Sequence, residues 1–337
     1  MDDLFSDAVR QLLTDQCTPR VVRAIEAGQS PQALWKHIED AGFADALVSE
    51  AQGGAGLMLP DVRFLFELCG AYAVPLPLSE TLLARALLAQ AGVAPPAGSI
   101  AFGEAAAYAQ ERVRCDTVRN GRVADWALVQ RKQECLLLPV AKASAWPAGF
   151  ALDATLEWSA VDCDQAQRIK DTPDLRLLQA CIAAAQLAGA LMRVFESTLQ
   201  YANERQQFGR PIGKFQAIQH QLSVISEHAF ASHMAAQIGC QCEGFVPDRL
   251  RVAIAKARTS EAALEVAALS HSIHGAIGFT EEFDLQLFTR RLHLWRQTGG
   301  SESYWHSVVG AALIDQHDGI TLDLIRRTTD TPTTEHV

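Results

Sequence analysis

Between Asp174 and Tyr201 the chain places Leu178, Ile182, Ala185, Met192, Phe195 and Leu199 at three- and four-residue steps, with no proline to interrupt them. A helical period sustained over that length predicts one long helix, and a stripe of that width needs partner helices to cover it. Two more follow. One carries Phe215, Ile218, Leu222 and Ile225; the other, from about 248 to 273, is alanine-rich, with Ala253, Ala257, Ala267 and Ala268 permitting close approach. Shorter helical segments are expected at roughly 281–295 and 301–315. Long helices with short joints predict a four-helix-bundle-type domain over 171–316. The polar tail, 317–337, is expected to fray.

Upstream, residues 1–95 read as a helical domain. Pro31 opens PQALWKHIEDAG, with Leu34, Trp35 and Ile38 on one face. Asp61 is the expected N-cap of DVRFLFELCGAYA, whose Val62, Leu65, Phe66 and Cys69 share a stripe, and Ser79 with Thr81 starts ETLLARALLAQAG. Over 96–170 the helical period vanishes. SIAFG, WALVQ and CLLLPV are short apolar runs between turn-like or charged residues, which predicts a small β domain whose core is small or shared. The fold class is thus mostly α, with a β domain between two helical ones.

A formal charge of −10 argues against a general nucleic-acid or anionic-membrane surface. The uncharged stretch Leu177–Met192 is too short to span a bilayer, and the acidic N-terminus shows no signal-peptide pattern. Eight cysteines are scattered without a CxxC pair, and Cys240 with Cys242 alone cannot make a metal site. A reduced, cytoplasmic protein is expected.

The most informative stretch is YANERQQFGRPIGKFQAIQHQLS, 201–223. Locally it reads as a helix ending at Gly209, a turn set by Pro211 and Gly213, and a helix beginning near Lys214. Arg205 and Arg210 suit the C-terminal end of the first helix, and the planar fork of Arg205 also matches a pyrophosphate. Phe208 is an aromatic at a turn, able to lie against a flat ring, and Gln216 offers a donor and an acceptor. Taken alone this is an ordinary helical hairpin with charged ends. In HSIHGAIGFTEEFDLQLFTRRL, 271–292, a helix ends in a glycine turn where Gly275 lets backbone amides approach a ligand. A lone histidine such as His274 is more often structural than a ligand.

The first stretch resembles the signature of the acyl-CoA dehydrogenase family, a Tyr-Ala-x-x-Arg-x-x-Phe-Gly run leading into a Phe-Gln helix. That resemblance implies FAD belonging to a neighbouring subunit, with Arg205, Phe208 and Gln216 at the matching positions. The second resembles the family's Gln-Leu-His-Gly-Gly-x-Gly motif at the neighbour's flavin nucleotide. It assigns Ser272, His274 and Gly275 there, with Ser272 in place of Gln and Ala276 in place of the second Gly. IEDAGFADALVSEAQGGAGL is similar to the family's N-terminal helix and substrate-side loop.

The family's reaction needs a carboxylate that removes the proton alpha to a thioester while hydride leaves the beta carbon. Its commonest position, before the turn that precedes the last helix, is here Thr298. The alternative, ten residues before Gly189, is Gln179. Neither is a base near neutral pH. Glu302, Glu281 and Glu282 are weaker candidates, Glu302 as helix-end charge and the other two capping or lining a helix start. The family's flavin-cradling loop and its Trp-Ile-Ser/Thr strand are missing from 95–170, where Trp126 and Trp158 are expected in the core. The resemblance is therefore to the shorter subunit of α2β2 dehydrogenases acting on steroid side-chain CoA thioesters. It implies a second subunit carrying the base and an acyl-CoA substrate. A self-sufficient homo-oligomeric dehydrogenase or oxidase with a relocated base, and a non-enzymatic helical scaffold, are the other readings.

Overall fold

The computed structural model describes residues 2–106, 112–315 and 319–329. The N-terminal layer contains α1 (Asp2–Gln16), α2 (Pro19–Glu26), α3 (Gln32–Asp40), α4 (Leu59–Ala71) and α5 (Leu78–Gln90). Leu34, Trp35 and Ile38 are the buried face of α3, as the periodicity predicts. Asp61 is not the N-cap of α4: it lies in the first turn, where its carboxylate accepts from the Met58 amide at 2.8 Å. The helix therefore starts earlier, around Pro60, which fits the first turn because its missing N–H would have no helical partner there. Helix α5 is buried on every side, so it has no polar face to display.

The β domain comprises β1 (Ile100–Glu104), β2 (Val113–Val118), β3 (Trp126–Arg131), β4 (Glu134–Pro139), β5 (Ser144–Pro147), β6 (Ala154–Trp158), the short helix α6 (Ala160–Gln165) and β7 (Gln167–Lys170). One sheet has the order β1-β3-β4-β7, with β1 and β3 parallel and the other pairs antiparallel; the other has the antiparallel order β2-β6-β5. Alternation along the strands divides the side chains between two cores. Ala101, Val129, Leu136 and Leu138 pack with Val113, Leu156 and Trp158 of the second sheet. Ile100, Phe102, Leu128 and Leu137 join the helical core instead. The core of this domain is thus shared, which is how so short a segment is stabilised. Trp158 is fully buried and donates to the Pro139 carbonyl, whereas Trp126 is half-buried and donates to that of Ala97.

The bundle is built on α7 (Leu175–Glu204), capped by the Asp174 carboxylate, which accepts from the Arg176 amide. At 1.5 Å per residue its 30 residues span about 45 Å. By length and composition α7 could cross a membrane, but most of it is buried inside the protein and it serves as the bundle's central strut. A two-residue hairpin, β8 (Gln206–Gln207) and β9 (Arg210–Pro211), leads to α8 (Gln216–Gly239), α9 (Arg249–His274), α10 (Leu285–Trp295) and α11 (Glu302–Asp315). The expected stripe on α7 is buried at Leu178, Ile182 and Ala185 and emerges toward solvent at Leu199. Helix α12 (Thr321–Thr329), with Leu324 and Thr328 buried, replaces the frayed tail expected there; residues 330–337 of that tail lie outside the described residues.

The N-terminal layer meets the bundle at a reciprocal glycine crossing. A Cβ on Gly70 of α4 would lie 1.9 Å from the Gln186 carbonyl oxygen of α7. One on Gly189 of α7 would lie 1.8 Å from the Glu67 oxygen of α4. Gly189→Ala should force these backbones apart and cost about 3 kcal/mol, as overpacking of a tight contact does. Urea denaturation should show a lower midpoint at an unchanged slope.

Candidate functional site

Helix α7 stops at Glu204, not at Gly209. The Arg205 backbone turns extended, Arg205 N–H donates to the Tyr201 carbonyl, and Ile212 N–H donates to the Arg205 carbonyl. The hairpin tip needs two consecutive left-handed residues, and Phe208 (φ 52°) and Gly209 (φ 77°) supply them. This turn holds the Phe208 side chain out of the fold, 92% exposed, with the Phe215 ring edge-to-face beside it at 6.1 Å. The Arg210 guanidinium covers Phe215 at 4.2 Å.

The two sequence motifs meet in space. Tyr201, Arg205, Gln207 and Ile212 from one, with Ser272, Ile273, His274, Gly275, Ala276 and Ile277 from the other, line a cleft of about 420 Å³. Arg205 is exposed, and no carboxylate pairs with its guanidinium among the described residues. At the end of α9, Gly275 adopts φ 66°, ψ −145°, which strongly favours glycine, and no atom lies within 4 Å of where its Cβ would be. The backbone is therefore open to a ligand. Phe208 and Gln216 do not line this cleft; Gln216 is exposed as the first residue of α8.

His274 has a structural place. Its Nδ1 lies 2.8 Å from the Ser270 carbonyl, which fixes the Nδ1–H tautomer, and Tyr201 stacks on its ring at 4.4 Å. Burial, with His271 adding to it, lowers its pKa, so the ring is neutral. The Tyr201 hydroxyl donates to the His274 carbonyl at 3.3 Å and ties the two motifs together. Ser272 is exposed at the rim.

The other end of the bundle is closed. Thr298 is buried and its hydroxyl donates to the Leu294 carbonyl at 3.1 Å. It borders a cavity of only about 20 Å³, room for a single water, shared with Glu80, Arg119, Asp153, Gln186 and Arg291. Phe150 also lines it, with the guanidinium of Arg291 over its ring at 5.6 Å. Gln179 is half-buried on the first turns of α7 and does not reach this cavity. Among the weaker base candidates, Glu302 is tied to Arg296, and that contact with its own amide holds its pKa below the usual range against the effect of burial. Glu281 and Glu282 are exposed in the turn before Asp284, the N-cap residue of α10, and cap nothing. Sequence reasoning missed Glu80, Asp153, Arg119 and Arg291, which no local pattern singles out.

The turn after α10 is held from below by Lys256 of α9, which is fully buried. Its ammonium donates to Ser260 Oγ at 2.8 Å and to the carbonyls of Arg296 and Gly300 at 2.8 and 3.0 Å. Burial pulls its pKa down to about 7, with Glu302 opposing. Lys256→Met should leave these acceptors unpaired and destabilise the chain by about 3 kcal/mol, read from chemical denaturation.

Helical layer, shared-core β domain and long-strut bundle define the architecture of the acyl-CoA dehydrogenases. Over 94% of this chain and 98% of the other, it superposes on a chain of the ChsE4-ChsE5 complex from Mycobacterium tuberculosis, TM-score 0.79, at 20% identity. The Tcur3481-Tcur3483 steroid ACAD G363A variant gives 0.73 at 22% identity, covering 93% and 97%. In sequence, residues 2–93 match the acyl-CoA dehydrogenase N-terminal domain and 177–314 the C-terminal domain. Acyl-CoA dehydrogenase IpdE2 of Mycolicibacterium smegmatis (strain ATCC 700084 / mc(2)155) is 30% identical over 295 residues, 86% of this chain and 92% of the relative. The chain belongs to the acyl-CoA dehydrogenase family.

Proposed function

We propose that this chain is one subunit of an FAD-dependent acyl-CoA dehydrogenase built from unlike subunits. In that assembly it completes the nucleotide end of a flavin site whose reactive end lies in a partner chain. The observation that carries the reading is the contrast between the two ends of α7. At one end stands an open cleft with an Arg205 that no carboxylate pairs among the described residues and with a bare glycine backbone. At the other, threonine occupies the base position beside a cavity too small for a thioester.

The cleft suits the nucleotide end of FAD. Arg205 would pair with the pyrophosphate through its planar fork, the Gly275 backbone would approach the nucleotide, and Ser272 would stand at the rim. Exposed Phe208 would lie against a flat ring, with Gln216 supplying a donor or acceptor. His274 would orient the cleft's backbone rather than touch the cofactor, because its free Nε2 is itself buried. FAD, when bound, supplies the acceptor for hydride from the beta carbon of an acyl-CoA, and the partner's carboxylate takes the alpha proton. The likeness to a chain of the ChsE4-ChsE5 complex and to a steroid ACAD supports an unlike partner subunit and a steroid-derived substrate; the reading takes the assembly as α2β2 and the substrate as a steroid side-chain CoA ester. All eight cysteines are free, which fits a reducing, cytoplasmic setting.

Co-expression with a dehydrogenase that carries the base should give a yellow complex, while the isolated chain should be colourless. Full flavin occupancy of the chain alone would overturn the reading. In the complex, Arg205→Ala should weaken FAD retention by about 1.5–3 kcal/mol, the range for a charged hydrogen bond, in an ultrafiltration assay. A non-enzymatic scaffold would leave flavin retention untouched by that change.

A further inference from the structure

The closed cavity beside Thr298 holds a carboxyl group that the proposed function does not use. Glu80 lies in the first turn of α5, 6% exposed, and its Oε2 has no hydrogen-bond partner among the described residues. The nearby cations are engaged elsewhere. Arg119 pairs with Asp153, whose second oxygen accepts from the Asn120 amide at 3.1 Å. Arg291 pairs with Glu26 of α2 at 2.8 Å. From α4 the neighbour is Cys69, a buried thiol, and α7 contributes the uncharged Ile182 and Gln186. An ionised Glu80 would thus be a buried charge without a counter-ion, in a space that admits one water.

We propose that Glu80 is a proton-controlled latch: as a neutral acid it lets α5, α7, α10 and the β domain close over the cavity, and its ionisation opens that seam to water. Burial, and secondarily the Asp153 charge, pushes its pKa up to about 7 from 4.5, against the lowering effect of its own backbone amide. The folded chain therefore holds this proton more tightly than the unfolded one does. The contribution to stability is fully present below 4.5, falls as pH rises toward about 7, and is constant above that. Asp153 is shifted in the same direction, so the Glu80 part is the difference between wild type and a variant that keeps Asp153.

The test is the pH dependence of thermal stability for the full chain and for Glu80→Gln, whose amide cannot ionise. Between about pH 5 and pH 8 the wild-type midpoint should fall more steeply than that of the variant, and the variant should be the more stable at the alkaline end. Hydrogen exchange over 119–123 and 150–154, corrected for intrinsic rates, should accelerate across that range in wild type only. Identical slopes for the two proteins would overturn the proposal. If the variant does not fold, infrared difference spectra of the wild type decide. A protonated-carboxyl band that persists above the ordinary carboxylate range and is lost near neutrality supports the latch, and its absence there overturns it. None of these measurements involves flavin or a partner, so a failure here is distinct from a failure of the subunit reading.

Discussion

The crossing of α4 and α7 sets the geometry on which the rest depends. Gly70 and Gly189 each take a carbonyl oxygen from the opposite helix into the space a side chain would fill, Gln186 for the first and Glu67 for the second. Each acceptor lies three residues before the glycine of its own helix, so the contact is nearly symmetric. Such an approach leaves no layer of side chains between the helices at that point. It also turns the Gln186 side chain into the seam below α5, where its Nε2 lies 3.5 Å from Ser79 Oγ. Beside it, Glu67 pairs with Arg63 on its own helix and with His233 of α8, which fixes a third helix against the same crossing. From this contact the N-terminal layer, the bundle and the closed cavity all take their positions.

Helix α7 then separates two places that chemistry would otherwise couple. Ile182 borders the closed cavity and Arg205 borders the open cleft; 23 residues of helix amount to about 35 Å. A strut of that length allows the two ends to change independently. The Arg205 backbone is held by its own bonds, to Tyr201 and to Ile212. On the proposed reading, a nucleotide-end cleft can therefore stand with a closed reactive end without a compensating change in the helix between them, which is the physical basis of the proposed division between unlike subunits.

The helical framework was largely legible because its signals are local. The period of α7 and the faces of α3 and α4 follow from apolar spacing, and the joint between α7 and α8 follows from Pro211 and Gly213. Boundaries were less legible. Ending the first bundle helix at Gly209 missed the hairpin because a left-handed Phe208 has no strong sequence signal: bulky residues rarely adopt that conformation. The cleft could be anticipated as two motifs, but not that the Tyr201 ring would lie on His274, since 73 residues separate them. The division of the β domain into two cores followed only from the alternation of paired strands. The cavity was illegible for a deeper reason. Glu80, Arg119, Asp153 and Arg291 come from three parts of the chain, and each taken singly looks like a surface charge.

That cavity also changes what the missing base means. Thr298 could be read as a single substitution at an otherwise intact site. In the structure it is one wall of a space closed by Phe150, Trp295 and the Arg119–Asp153 pair, with Lys256 fixing the turn that carries it. A glutamate at that position would add a third carboxyl beside Glu80 and Asp153, both already shifted toward the neutral form by burial. The cations lining that space are already paired, Arg119 with Asp153 and Arg291 with Glu26, so an added carboxylate would be buried without a counter-ion. The threonine is therefore consistent with its surroundings, and on the proposed reading the closed pocket, not the one residue, is what distinguishes this chain from its base-carrying partner.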